Sequence, residues 1–380
     1  MNILALEPYY GGSHRAFIDG LSKASGHTWT LLTLAAHKWK WRMRHSAITF
    51  ASQAAELADK HQSWDVLFCS DMLNLAEFVA LAPAGIAGLP KVIYFHENQL
   101  TYPVRAEDER DYQFAMTNLT SALAADAVWF NSQFHLDTFL DALARFLKSM
   151  PDHQPFEAIG NIRAKSSVYP PGIADFPARE AREPGPLRIL WAARWEHDKN
   201  PEDFFEALEI LKAGNMPFRL SVIGQSFRDR PAIFEKAHRS FRDYIDLWGY
   251  QKSRDDYERA LLQADVIVST ANHEFFGIGI LEAVAAGAYP LVPNRLSYPE
   301  ILGLGRLEDA GQFFYDGTVR DLADKLSSLA ARIEKDALRP AAISLAALTG
   351  RLRWSNLARR YDRALEQIRP GSTEPAGDST

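Results

Sequence analysis

His273-Glu274-Phe275-Phe276-Gly277-Ile278-Gly279-Ile280-Leu281-Glu282-Ala283 follows the apolar run Asp265–Ser269 and begins a helical pattern near 277–287. A buried strand, a glycine-containing turn and a helix, in that order, form the repeating unit of a helix-covered parallel sheet. The first turn of such a helix carries N–H groups without intrahelical partners, and Gly277 and Gly279 present no side chain to keep an anion away from them. Glu274 lies in the loop beside those amides. Glu282 falls on the helix, where a carboxylate can accept two hydrogen bonds from a vicinal diol such as ribose. A helix-capping acid and a surface glutamate would leave the same local pattern, so the surroundings must decide.

Working outward, Leu187–Ala192, Arg219–Ile223, Tyr244–Leu247 and Tyr289–Val292 read as further strands, with helices near 200–213, 230–240 and 254–263. Helical patterns follow at 321–334, 337–347 and 351–367. The first half shows the same alternation. Ile3–Leu6, Trp29–Leu34, Val66–Cys69, Val92–Phe95 and Val128–Phe130 are short apolar runs, separated by amphipathic stretches such as 47–60 and 107–125. Two successive doubly wound units predict two Rossmann-like domains facing each other across a cleft. Pro170-Pro171-Gly172 and the charged stretch Asp175–Pro186 read as the linker. The expected organisation is a first domain over 1–172 and a second over 173–350. A helix over 351–368 is placed to cross back onto the first domain, and a disordered tail follows over 369–380.

Composition limits the partners. The chain has 380 residues, 47% hydrophobic and 24% charged, enough for two cores without disulfides or metals. Its formal net charge of −6 provides no global attraction to a polyanion, so any nucleic acid must meet a local patch. The single cysteine, Cys69, excludes an intramolecular disulfide and fits a reducing compartment. The N-terminus carries no signal-peptide pattern and no apolar run approaches the length of a membrane span, so a cytoplasmic location is expected.

A second constellation, Trp191-Ala192-Ala193-Arg194-Trp195-Glu196-His197-Asp198-Lys199-Asn200-Pro201, occupies the strand-to-helix crossing that opens the second domain. Arg194 offers a planar fork and Lys199 a point charge, which together suit a diphosphate. Alone, the pair could equally be solvated cations bonded to Glu196 and Asp198. Two such constellations at strand ends of one domain describe a nucleotide-sugar site: a diphosphate clamp and a diol-binding acid.

These residues resemble the retaining GT-B glycosyltransferases of family 4. The resemblance implies that Arg194 and Lys199 hold the donor diphosphate, with Glu274 facing the sugar hydroxyls and Glu282 the ribose. Phe276, Gly277 and Ile278 belong with them on the donor side. Phe275 stands where many members have a small residue, which leaves the sugar pocket less defined.

The first domain adds Glu7-Pro8-Tyr9-Tyr10-Gly11-Gly12-Ser13-His14 at its first strand-to-helix turn, where Gly11 and Gly12 allow a phosphate or sugar to approach the backbone. His96-Glu97-Asn98-Gln99-Leu100-Thr101-Tyr102-Pro103 gathers polar groups at another strand end, either as a site or as a buried hydrogen-bonded turn. In His37–His45, the cations Lys38, Lys40, Arg42 and Arg44 alternate with Trp39, Trp41 and Met43. Cations and aromatics together can neutralise phosphates and stack unpaired bases. An extended segment would put the aromatics on one face and the cations on the other, which a structural strand would do as well.

Taken together, these segments resemble the tRNA-queuosine α-mannosyltransferases, with matching motifs from residue 7 to about 300. The resemblance implies transfer of mannose from GDP-mannose to queuosine in tRNA-Asp. Ser13, His14, Lys38, Trp39, Lys40, Trp41, Arg42, Arg44, His45, Glu97, Asn98, Gln99 and Tyr102 are the candidate acceptor contacts, while Gly11 and Gly12 are assigned to the donor. His96, Glu274, Arg194 and Lys199 are the candidate catalytic residues. His96 is expected to hydrogen-bond the sugar or assist at the reacting centre, without assignment as a general base. No Asp-x-Asp pair and no zinc spacing occur, so neither a metal nor another cofactor is expected. His61, His153 and His238 read as solvated. Two rivals remain: a family 4 enzyme acting on a lipid or polysaccharide, and a non-catalytic RNA-binding protein on the same scaffold.

Overall fold

The computed structural model describes residues 1–380 apart from 61, 104–110, 178, 227–229, 308–309, 334–346 and 369–380. The expected tail and most of the helix at 337–347 lie outside the described residues, as do His61 and the start of 107–125. The chain divides into two compact units, Met1–Gly172 with Trp354–Thr380, and Ile173–Arg353. Each contains one six-stranded parallel sheet.

In the first unit, β1 (Asn2–Tyr10), β2 (Thr28–Ala35), β3 (Val66–Ser70), β4 (Lys91–Phe95), β5 (Ala127–Phe130) and β6 (Ser166–Val168) lie in the order 2-1-3-4-5-6. Every residue of β3 is buried, because a central parallel strand is covered on both faces. The order reverses between β1 and β3. Ligands in open α/β sheets bind at such reversals, beyond the carboxyl ends of the strands. Tyr10, Ser70 and Phe95 end β1, β3 and β4 there.

The second unit has β7 (Leu187–Ala192), β8 (Phe218–Ile223), β9 (Ile245–Gly249), β10 (Val266–Val268), β11 (Tyr289–Pro293) and β12 (Phe314–Tyr315), in the order 12-11-10-7-8-9. Its reversal falls between β7 and β10, which pair Ile189 with Val266 and Leu190 with Ile267. The segments after those strands are the two sequence constellations. This is why residues about 80 positions apart meet.

The expected linker Asp175–Pro186 is tied to the second unit. Arg182 reaches both carboxylate oxygens of buried Asp265, at 2.8 and 2.9 Å, and Arg179 adds a contact at 3.1 Å. Two guanidinium groups on one desolvated carboxylate make the segment part of the domain edge instead of a spacer.

The C-terminal helix Trp354–Gln367 belongs to the first unit. Its apolar stripe, Leu357, Tyr361, Ala364 and Leu365, repeats at helical spacing and is buried. Trp354 fills a slot left open by two glycines: a Cβ on Gly20 or Gly172 would come within 2.0 or 2.2 Å of its ring. The Tyr361 hydroxyl donates to the Tyr169 carbonyl at 2.9 Å, and Asp362 accepts from Ser25 and from Gly26 N–H.

Candidate active site

In the second unit, β7 leads through Arg194 into the short helical turn His197–Lys199, and Asn200 (φ 48°) reverses the chain into α8 (Pro201–Ala213). Close packing explains Gly224, since a Cβ there would lie 1.7 Å from the Ala193 carbonyl oxygen. Asn272 N–H donates to the Asp198 carbonyl at 2.8 Å, and the Thr270 hydroxyl to that of Lys199 at 2.9 Å. These bonds join the loops after β7 and β10.

Lys199 is therefore buried, with its ammonium 2.8 Å from the His273 carbonyl, 3.1 Å from Asp198 and 3.4 Å from Glu274. Burial opposes its charge, but the Glu274 and Asp198 carboxylates outweigh that and hold its pKa above the ordinary value. Glu274 is the converse: burial favours its neutral form, while Lys199 and then His273 hold it below the usual carboxylate range. Burial and the nearby Lys199 push His273 down to about 4. The result is a fixed charge pair at the start of α11 (Ile278–Ala285). Gly277 caps that helix at φ 92°, where a Cβ would also crowd Tyr298 at 3.0 Å. A cavity lined by Trp191, Lys199, Glu274, Gly277, Gly279 and Tyr298 opens at this point.

Glu282, one turn along α11, is neither a cap nor a surface acid. Its two oxygens accept separately from Arg254 at 3.0 Å and the Tyr257 hydroxyl at 2.8 Å. Both donors lie on α10 (Arg254–Gln263), and the carboxylate keeps lone pairs for a further ligand. Sequence reasoning missed Arg254 and Tyr257 as orienting groups, and named Asp198 only as a partner of solvated cations. Only the packing of α10 on α11 relates the first two to Glu282. Arg194 is the more exposed of the two cations and pairs with Glu196 at 3.2 Å. Phe276 is buried, its N–H donating to Glu274 at 3.5 Å, while Ile278 is half-buried.

The first unit brings together Glu7, His14, Asp71 and His96. The Glu7 carboxylate accepts from Tyr9 N–H at 2.8 Å and the Ser70 hydroxyl at 3.1 Å, and it lies 3.3 Å from the His14 ring. Buried Asp71 accepts from His96 N–H at 2.9 Å. One ligand-type atom each of Glu7, His14 and His96 lies within 4.8 Å of the others, the only such threesome among the described residues. The Glu7–His14 contact and the packing of the His96 ring on His14 account for that proximity.

Burial opposes charge on His14, but the carboxylates of Glu7, then Asp71 and Glu97, raise it to about 9. A folded pKa above the ordinary 6.5 means stability fully present below about pH 6.5 and lost as pH rises through about 9. That loss amounts to about 3 kcal/mol across the window. Urea midpoints are expected to fall over this range, and Glu7→Gln to flatten the fall. A variant with the same pH slope as the native chain would contradict the pairing.

The acceptor-side candidates differ in burial. Asn98 is fully buried, its side-chain oxygen accepting from Leu100 N–H, Thr101 N–H and the Thr101 hydroxyl. Gln99 is buried beside it and donates its own N–H to Asn118 at 2.7 Å. Both build the turn, whereas Glu97 and Tyr102 are half-buried. His14 is buried as well, although Ser13 is exposed. Gly11 has a packing reason, since a Cβ would meet that of Ala36 at 2.4 Å. Gly12 (φ 52°) has open space around it.

The segment 37–45 is not extended. Helix α2 (Trp39–Ala58) starts at Trp39, well before the expected 47, so the alternating-face argument fails. At 3.6 residues per turn the aromatics part company. Trp39 packs on Phe114 with ring centroids 5.1 Å apart, Met43 is buried, and Trp41 is 61% exposed with His45 beneath it at 4.9 Å. Arg42 donates to the Ala35 carbonyl at 2.9 Å, and Arg44 lies over Phe114 at 4.6 Å. Lys38 and Lys40 are exposed. His153 and His238 are exposed too, as expected.

Comparison with known proteins adds to this geometry. Residues 2–173 match the family model described as tRNA-queuosine alpha-mannosyltransferase N-terminal, and residues 173–339 match glycosyl transferases group 1. The tRNA-queuosine alpha-mannosyltransferase of Drosophila melanogaster is 38% identical over 312 residues, 79% of this chain and 81% of that one. A GDP-mannose:cellobiosyl-diphosphopolyprenol alpha-mannosyltransferase of Xanthomonas oryzae is 23% identical, covering 81% of this chain and 75% of its own. Among solved structures, HepE of Anabaena in complex with UDP and glucose superposes with a TM-score of 0.67 at 15% identity, covering 97% of this chain and all of that one. Trehalose-6-phosphate synthase OtsA gives 0.69 at 13% identity, covering 97% and 99%. The fold is GT-B. No helix among the described residues is long and apolar enough to cross a membrane.

Proposed function

The chain belongs to the tRNA-queuosine α-mannosyltransferase family, and from that membership we propose that it transfers mannose from GDP-mannose to queuosine in tRNA-Asp. The observation that carries the donor half of this reading is the buried Lys199–Glu274 pair at the N-terminus of α11. A cation and free helix amides favour an anionic diphosphate, and a fixed carboxylate beside them suits sugar hydroxyls. GDP-mannose is the donor named for the Xanthomonas relative, which supports the same donor here.

In the proposed reaction the bond from mannose C1 to the diphosphate oxygen breaks as a queuosine hydroxyl oxygen bonds to C1 on the same face. The hydroxyl proton passes to the departing phosphate oxygen, and anomeric configuration is retained. Lys199, Arg194 and the first turn of α11 stabilise the charge that grows on the diphosphate, with no metal needed. The first unit takes the acceptor, His96 lies on that side, and the enzyme works in the cytoplasm.

The exposed Trp41, with Lys38 and Lys40 beside it in sequence, supports an RNA contact at the start of α2. Purified protein incubated with radiolabelled nucleotide sugars and total tRNA, with and without queuosine and with EDTA, tests the reading. Label is expected only from GDP-mannose, only in queuosine-containing tRNA, and equally with chelator. Label in lipid or polysaccharide instead, or no transfer from any donor, would overturn it. Trp41→Ala is expected to cost about 1–3 kcal/mol of tRNA affinity without lowering thermal stability. Lys38→Gln with Lys40→Gln should flatten the slope of log affinity against log salt by roughly 1.5. Full affinity and an unchanged slope would move the RNA elsewhere.

A further inference from the structure

We propose that Glu7 and His14 are positioning residues for His96: Glu7 fixes the His14 ring, and that ring seats the imidazole of His96 with both nitrogens left for the reacting groups. The inference rests on the proposed acceptor role of the first unit.

Ring packing supplies the first argument. His14 stacks on His96 with centroids 4.0 Å apart and planes at 35°. Phe17 meets His96 edge-on at 4.9 Å, and Tyr94 closes another side at 4.7 Å. The main chain of His96 is held at both ends, its N–H by Asp71 and its carbonyl by the Asn131 amide at 2.9 Å. Yet among the described residues no hydrogen bond reaches either ring nitrogen of His96. An imidazole clamped on its faces and left open at its nitrogens is prepared for a ligand.

The second argument concerns what the buried pair is for. A buried ion pair gives little net stability over apolar residues of similar size. This one is nevertheless fixed from three elements: Tyr9 on β1, Ser70 on β3 and His14 on α1 (Gly12–Ala24). Its effect falls on its neighbour. Burial, and then the charges of His14 and of His135 on α6 (Gln133–Lys148), keep the His96 ring well below its ordinary pKa and so neutral. The carboxylates of Glu7, of Asp71 after β3 and of Glu97 after β4 act in turn on His14. A neutral imidazole can both donate and accept, which an imidazolium cannot.

Glu7→Gln keeps the size and the acceptor oxygen but removes the charge. Expected are a fall in kcat of about tenfold to a hundredfold, a KM for GDP-mannose within about twofold of native, and an acid limb of the kcat–pH profile raised by roughly one pH unit. Glu7→Asp, which restores the charge, is expected to recover the native acid limb. Ring-carbon NMR of His96 in the unliganded protein is expected to show the same upward shift in Glu7→Gln. That readout involves no substrate, so it separates this proposal from the choice of acceptor. An unshifted His96 titration, or a fall in kcat with the acid limb in its native place, would reduce Glu7 and His14 to core residues. Should Glu7→Gln fail to fold, His14→Phe combined with Glu7→Gln keeps the stacked ring without a buried charge, and it must reproduce the shift.

Discussion

Lys199→Ala is expected to lower kcat by about 10²–10³-fold while also weakening GDP-mannose binding. Three acceptors hold the ammonium: the His273 carbonyl, Asp198 and Glu274. It therefore needs no reorganisation when charge develops on the leaving diphosphate, and a preorganised donor in a water-poor site contributes most in the transition state. The variant should also lose stability, on the order of 3–5 kcal/mol, because two partly buried carboxylates lose their cation. Single-turnover rates on folded protein below its melting temperature separate the two effects. A rise in KM with kcat unchanged would mean that Lys199 only anchors the ground-state donor. Arg194→Ala should show the smaller effect, since Arg194 is more exposed and its partner Glu196 is half-solvated.

Donor affinity is expected to fall by roughly 10–150-fold in Glu282→Ala. A charged acceptor contributes about 1.5–3 kcal/mol when a ribose diol bonds to it. Arg254 and the Tyr257 hydroxyl hold both oxygens in place before any ligand arrives, so little orientation is left to be lost on binding. Tyr257→Phe releases one of those anchors and leaves the carboxylate, so its cost should stay under about tenfold. Calorimetric titration with GDP separates ribose and base from the sugar. An unchanged dissociation constant in Glu282→Ala would remove the residue from the donor site.

The sequence by itself determined the two doubly wound units and the charged constellation at the reversal of the second sheet. Continuous apolar strands such as Val66–Ser70 are legible because a parallel strand is buried on both faces, whatever its neighbours. Arg194, Lys199, Glu274 and Glu282 are legible because strand-end loops meet at a sheet reversal, a rule of topology that strand order along the chain nearly fixes. Residues 39–45 are different. Seven residues of alternating cations and aromatics fit either period, and it was packing of Trp39 and Met43 against Phe114 and Met72 that selected the helix. The same limit hid Asn98, whose acceptors and donors could as well serve a ligand until three local N–H and O–H groups are seen to claim its oxygen. Asp265 and its two arginines, the seat of Trp354 between Gly20 and Gly172, and the His14–His96 ring contact join residues dozens to hundreds of positions apart. Such contacts leave no periodic trace along the chain. Only the tertiary structure decides them, because charge pairing and ring packing depend on distance in space and not on separation in sequence.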